Sequence, residues 1–153
     1  MKRALFLLLI LILSACAAQP TQAPLPTPTE SAPLVLKQEE NPYAPKTGDL
    51  ALNQDGITLT SLSLSERYDL TPLRAELHLF GSMPSVCSEL RIKVNPPDNQ
   101  YKISIEAYSV SDLKLKCENV FQQVDTTILL GAYSPGQYTV WVNDSYVGDI
   151  VSY

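Results

Sequence analysis

From about residue 49 onward the chain alternates apolar and polar side chains over short runs. No run shows a convincing helical face with caps. Successive strand residues point to opposite sides, so such a run suits a strand with one dry face. The clearest example is Glu89-Leu90-Arg91-Ile92-Lys93-Val94, which predicts Leu90, Ile92 and Val94 inward and the charges outward. Arg74 to Phe80, Tyr101 to Ala107 and Phe121 to Leu130 repeat the pattern. Ile57 to Leu64 does so with a phase slip between Leu59 and Leu62, which predicts a β-bulge. Asn95-Pro96-Pro97-Asp98-Asn99 and Ser134-Pro135-Gly136 are turn signals. Asn143-Asp144, between Tyr138–Val142 and Ser145–Tyr153, predicts a two-residue hairpin turn, because both residue types tolerate positive φ. About seven short strands in roughly 105 residues predict an all-β chain, an antiparallel β-sandwich, with an eight- or five-stranded barrel as the other candidate architecture.

The first residues are of another kind. Lys2 and Arg3 precede an uninterrupted apolar run from Ala4 to Leu13. That run is too short to span a bilayer, which takes about 20 residues, and suits the core of a signal peptide. Leu13-Ser14-Ala15-Cys16 follows and resembles the bacterial lipobox at all four positions. The resemblance implies cleavage before Cys16, acyl chains on Cys16, and a lipid-anchored location in the bacterial cell envelope outside the cytoplasm. Ala17, where an Asp often signals inner-membrane retention, favours the outer membrane if the cell has two. An ordinary secretory signal cut nearby is the competing reading. Residues 1–15 are thus expected to be a lipoprotein signal peptide.

Residues 16–47 are expected to be the lipid anchor and a disordered, proline-rich stalk. Pro20, Pro24, Pro26, Pro28, Pro33, Pro42 and Pro45 lie there, and no glycine does until Gly48. Each proline removes a backbone donor and pushes its predecessor toward extended geometry. A semi-rigid spacer of at most ~3.1 Å per residue is expected. Leu34-Val35-Leu36 is the one apolar run in it that could dock on the domain, which is placed at 48–153.

Two further resemblances bear on that domain. Pro135-Gly136-Gln137-Tyr138-Thr139-Val140-Trp141-Val142 resembles the strand-to-strand corner of immunoglobulin-like and fibronectin-type-III-like modules. There a tyrosine hydroxyl bonds upstream backbone, a role that falls to Tyr138, with Pro135 and Gly136 shaping the corner. The spacing departs from fibronectin type III by about a residue, so the likeness implies the sandwich class and not that family. More broadly, residues 72–147 are similar to small bacterial lipoproteins with a proline-rich stalk, a Pro-x-x-Cys element (Pro84 to Cys87), a second cysteine and a terminal Tyr-Thr-Val-x-Val-Asn hairpin.

The chain has three cysteines. With Cys16 assigned to lipid, Cys87 and Cys117 remain, and an oxidising compartment favours a disulfide between them. A loop of that length is worth on the order of 3–4 kcal/mol in the chain-entropy model. A redox pair lacks its Cys-x-x-Cys, and one histidine cannot complete a zinc set, so neither a metal nor a cofactor is expected.

No enzyme motif emerges. His78 is the sole histidine, no Gly-x-Ser-x-Gly occurs, and no calcium loop occurs. The net charge is −5, or −7 once Lys2 and Arg3 are removed, which argues against nucleic acid as a partner. The remaining candidate is aromatic. If Tyr138, Val140 and Val142 face the core, Trp141 faces out, with Tyr146 across the hairpin. That pair would either shield the sheet or form a binding patch for a protein or glycan. The expectation is a lipid-anchored, non-catalytic binding module, with an extracytoplasmic protease inhibitor as the alternative.

Overall fold

The computed structural model describes residues 32–118 and 120–153. Cys16, the signal-peptide run and the prolines from Pro20 to Pro28 lie outside the described residues. The described chain is all-β, with one 3₁₀ turn (Thr47–Ala51). Ten strands follow one another: β1 (Val35–Lys37), β2 (Asn53–Gly56), β3 (Thr58–Arg67), β4 (Arg74–Met83), β5 (Glu89–Val94), β6 (Lys102–Ser111), β7 (Gln122–Leu129), β8 (Ala132–Tyr133), β9 (Gly136–Val142) and β10 (Ser145–Ser152).

Two sheets face each other. One has the order β3-β4-β7. The other runs β10-β9-β6-β5, with β2 lying end to end with β9 along the same edge of β6. Alternation accounts for the core between them. Leu77 and Leu79 of β4, Ile128 of β7, Ile92 of β5, Ile103 and Ile105 of β6, and Tyr138, Val140 and Val142 of β9 belong to one buried cluster. Full burial stabilises by roughly 1.5–3 kcal/mol for each large side chain. Every buried residue of that cluster lies between Ala75 and Ile150.

The phase slip in the first run is a register shift between Leu59 and Ser61 in the β3·β4 ladder. Gly81 stands opposite, where a Cβ would come within 2.2 Å of the Thr58 carbonyl oxygen. Asn143 and Asp144 turn the β9–β10 hairpin with φ of 45° and 62°.

Four expectations need revision. Three strands carry no apolar–polar alternation and escaped the sequence reading: β1 and β2 are held by backbone pairing, and β8 is two buried residues, Ala132 and Tyr133, paired with β1. Next, the neighbours are not all antiparallel. The chain leaves β6, crosses to β7 in the other sheet and turns again, and two reversals bring β9 back parallel to β6.

The third revision concerns the domain boundary, because residues 34–47 are not stalk. Between Pro33 and Pro42 every residue keeps its N–H, so this stretch can pair. Val35 and Lys37 pair with β8, and Glu40 exchanges both backbone hydrogen bonds with Leu129. The Ile92 amide then donates to the Tyr43 carbonyl, and the Asn41 side chain donates to the Ile92 carbonyl. Residues 34–46 thus form a strap from the edge of one sheet to the edge of the other.

Finally, Arg91 faces away from the core, as alternation requires, but only 3% of it is exposed. The 3₁₀ turn lies over it, and Asp49 accepts from its Nε and Nη2 at 2.7 and 2.9 Å. That pairing, with the Lys46 amide, holds the Asp49 carboxyl down at about 2. Arg74 is buried in the same manner beneath the strap. It donates to the carbonyls of Leu130 and Gln38 and to the Glu40 carboxylate.

Candidate functional site

Trp141 and Tyr146 are direct partners in the β9·β10 ladder. Their rings meet edge to face, with centroids 5.5 Å apart and planes at 64°. Such a contact adds ~0.5–1.5 kcal/mol beyond area burial. Buried Val140 and Val142 flank Trp141 in the chain and place its ring on the outer face. The indole N–H donates to Thr139 Oγ1 at 3.2 Å, which lays the ring along its own strand. On the β6 side Lys102 Nζ stands 4.6 Å from the ring centroid, within cation–π range. Tyr146 is half-exposed, and its hydroxyl donates to Asp149, which pushes its pKa up.

Beside Trp141 the sheet surface dips into a hollow of about 470 Å³, lined by Asn95, Ser104, Glu106, Asn143 and Asp144. The parallel β6·β9 pairing builds it, because it sets Ser104 opposite Trp141. The Asn143 side chain clamps the hairpin to β6: its Oδ1 accepts from the Ala107 amide and its Nδ2 donates to the Ala107 carbonyl, both at 2.8 Å. Glu106 accepts from Lys93 at 2.9 Å and from Asn95 at 3.0 Å, and these two donors hold its carboxyl below the usual range. Asp144 is exposed at the hairpin tip. The hollow therefore joins an apolar ring to carboxylate, amide and hydroxyl groups. That combination suits a ligand with one C–H face and a rim of hydroxyls.

The other sequence candidates lie elsewhere. Cys87 and Cys117 are disulfide-bonded, with Cα atoms 5.9 Å apart. The bond ties the turn before β5 to the crossing before β7. Tyr138 is fully buried, and its hydroxyl donates to the Ser134 carbonyl at 2.6 Å. Its ring packs against Tyr101 and Tyr133 at 5.3 and 5.1 Å. Pro135 lies in the bend, and a Cβ on Gly136 would come within 2.7 Å of the Tyr101 ring. Tyr101 itself has φ of 60°, a strained conformation supported by this packing. His78 sits on the outer face of the three-stranded sheet, and its described hydrogen bond is to Asp125 at 2.6 Å. Among the described residues no three His, Cys, Asp or Glu side chains are grouped to hold a metal ion.

Sequence reasoning found the aromatic pair and missed the hollow. Ser104 and Glu106 lie on β6, which joins β9 by parallel pairing, and Asn95 lies just after β5, all of them some 35–46 positions before Trp141. No local pattern announces that neighbour.

Residues 77–151 match the model of a protein family described as the ORF11 beta-sandwich domain. The match begins in β4 and runs into β10, leaving out the strap and β3. No curated protein and no solved structure matches the chain.

Proposed function

We propose that this chain is a lipid-anchored, extracytoplasmic, non-catalytic binding module, tethered through Cys16, which presents the Trp141 hollow to a glycan. The observation that carries the reading is the placement of the Trp141–Tyr146 pair on the outer face against a polar hollow. A sugar ring would stack on the aromatic surface while Asp144, Glu106 and Ser104 meet its hydroxyls. Because Trp141 is the sole tryptophan, its emission reports on the site directly. Titration of residues 32–153 with oligomers of glucose and of N-acetylglucosamine should shift that emission saturably. Asp144→Gly, which keeps the positive φ of the turn, and Tyr146→Ala should each weaken the response about tenfold or more, with the melting temperature unchanged in the first and lowered by a few degrees in the second. No response to either series, or a response that both variants retain, overturns the glycan reading. For the anchor, the Cys16→Ser full chain should leave the detergent phase on phase separation. Retention there would reject acylation at Cys16.

A second reading, an extracytoplasmic protease inhibitor, draws on the loop that Cys117 staples to Cys87. It exposes Leu113, Leu115, Val120 and Phe121. Inhibition of a serine protease that is lost on Leu115→Asp would favour it over the glycan module.

A further inference from the structure

The two lateral sides of the sandwich differ, and the more open one has the features of a peptide-binding slot. On one side β10 lies against β3. On the other, β5 and β7 face each other across a gap framed by the strap at one end and the disulfide at the other. Between them lies a groove of about 420 Å³, with Met83, Leu90 and Val124 among its lining residues.

Backbone direction decides what this groove can hold. Leu129 spends its N–H and C=O on Glu40, so it faces out of the β4·β7 ladder. Strand parity then turns Gln123, Asp125 and Thr127 outward as well. Among the described residues their N–H and C=O groups have no backbone partner. The same parity on β5, fixed by Ile92 and Tyr43, turns the Leu90 amide toward the gap. A second observation points the same way. Ser88 is 94% buried and lines the groove, and its hydroxyl has no hydrogen-bond partner in the described structure. A buried, unpaired hydroxyl is costly, and a bound polar group that satisfies it would account for its retention.

We infer that this groove binds an extended segment of a partner protein, which adds as a strand to the β7 edge from Gln123 to Thr127. The chain's own strap shows that the edge accepts such a strand, since Glu40 pairs at Leu129, the next outward position. The partner segment continues that interface. Its alternate side chains are apolar and enter the gap over Met83, Leu90 and Val124, and a polar group among them meets the Ser88 hydroxyl. Main-chain bonds give the affinity and the gap gives the selectivity. This site is separate from the Trp141 hollow and does not rest on it.

Random 12-residue peptides displayed on phage are the probe, selected on immobilised residues 32–153. Enriched sequences should alternate apolar and polar residues. The synthetic peptides should shift the amide resonances of residues 122–127 and 89–91 and slow exchange at Gln123, Asp125 and Thr127. N-methylation of alternate peptide residues should weaken binding roughly tenfold or more, because it removes several main-chain bonds. This control needs no altered protein. Thr127→Pro removes an outward amide and should weaken binding similarly. The inference is overturned if no peptide is enriched, if the peptides perturb the Trp141 hollow instead, or if N-methylation leaves affinity unchanged. It is also overturned if the unliganded chain forms a dimer in sedimentation equilibrium with those three amides protected. That result would assign the edge to a second copy.

Discussion

The two lateral sides of the sandwich are joined by different chemistry. On the β3·β10 side, strands approach through side chains such as Leu64, whose Cδ1 would stand 3.3 Å from a Cβ on Gly148. On the β5·β7 side the sheets are held by a strap, two buried arginines and a disulfide. An apolar join is insensitive to pH and needs shape alone. A strapped join depends on charge and on a covalent bond, and it leaves a groove. Where the strands of two sheets do not meet, the fold substitutes a few strong polar contacts for many weak apolar ones, and the gap remains available to a partner.

That contrast can be broken experimentally. Removing the disulfide through a Cys87→Ala, Cys117→Ala pair should cost about 3–4 kcal/mol in denaturant unfolding, since it closes a 30-residue separation. A smaller loss would mean that the strap alone holds the gap. Arg74→Ala should cost about 3 kcal/mol, because it strands the Leu130 and Gln38 carbonyls that the guanidinium satisfies. It should also speed amide exchange at Glu40 and Leu129, and unchanged exchange would detach Arg74 from the strap. Leu64→Ala on the other side should cost about 1–2 kcal/mol, with the same value at pH 3 and pH 7.

Acid should weaken the strapped side below about pH 4. The folded Asp49 carboxyl lies at about 2, below the ordinary 3.8, so its pairing with Arg91 contributes stability above about pH 4. That contribution falls away as pH drops toward 2. Asp49→Asn should lower the melting temperature at pH 6 and flatten its fall between pH 4 and 2. Asp69, held at about 2 by Arg67, contributes in the same window from the turn after β3. Asp69→Asn therefore separates the two, and an equal flattening by both would deny the strap its special role. The smallest effect is expected from Glu40→Gln. Its carboxylate is mostly exposed, and Arg74 keeps its carbonyl partners, so the melting temperature should barely move.

The same division governs how much could be read in advance. Alternation at Leu77, Leu79, Ile92, Ile103 and Val140 reports burial between sheets, and that is legible in a single run of residues. So are the Asn143-Asp144 turn and the outward face of Trp141. The strap, β2 and β8 are joined through backbone groups that every residue carries, so Asn53-Gln54-Asp55-Gly56 looks like a loop until β6 is set beside it. Arg91 shows the limit most sharply. Its direction follows from strand periodicity, but its burial depends on Asp49, forty-two positions earlier. The hollow beside Trp141 has the same origin, since Ser104 meets Trp141 only through a parallel pairing that spans two changes of sheet.

The ends of the strand circuit leave from one place. Leu34 bonds the Ser134 side chain and carbonyl-to-amide contact joins the same pair, while the Ser152 hydroxyl donates to the neighbouring Tyr133 carbonyl at 2.6 Å. The described fold is therefore nearly a closed ring, which a short glycine-serine linker from Tyr153 to Leu34 could complete. Reopened between Asn143 and Asp144, the permuted protein would keep every core residue and lose the rigid hairpin beneath Trp141. Permutation thus offers a way to loosen the hollow alone, with both sheets and the strapped groove left intact.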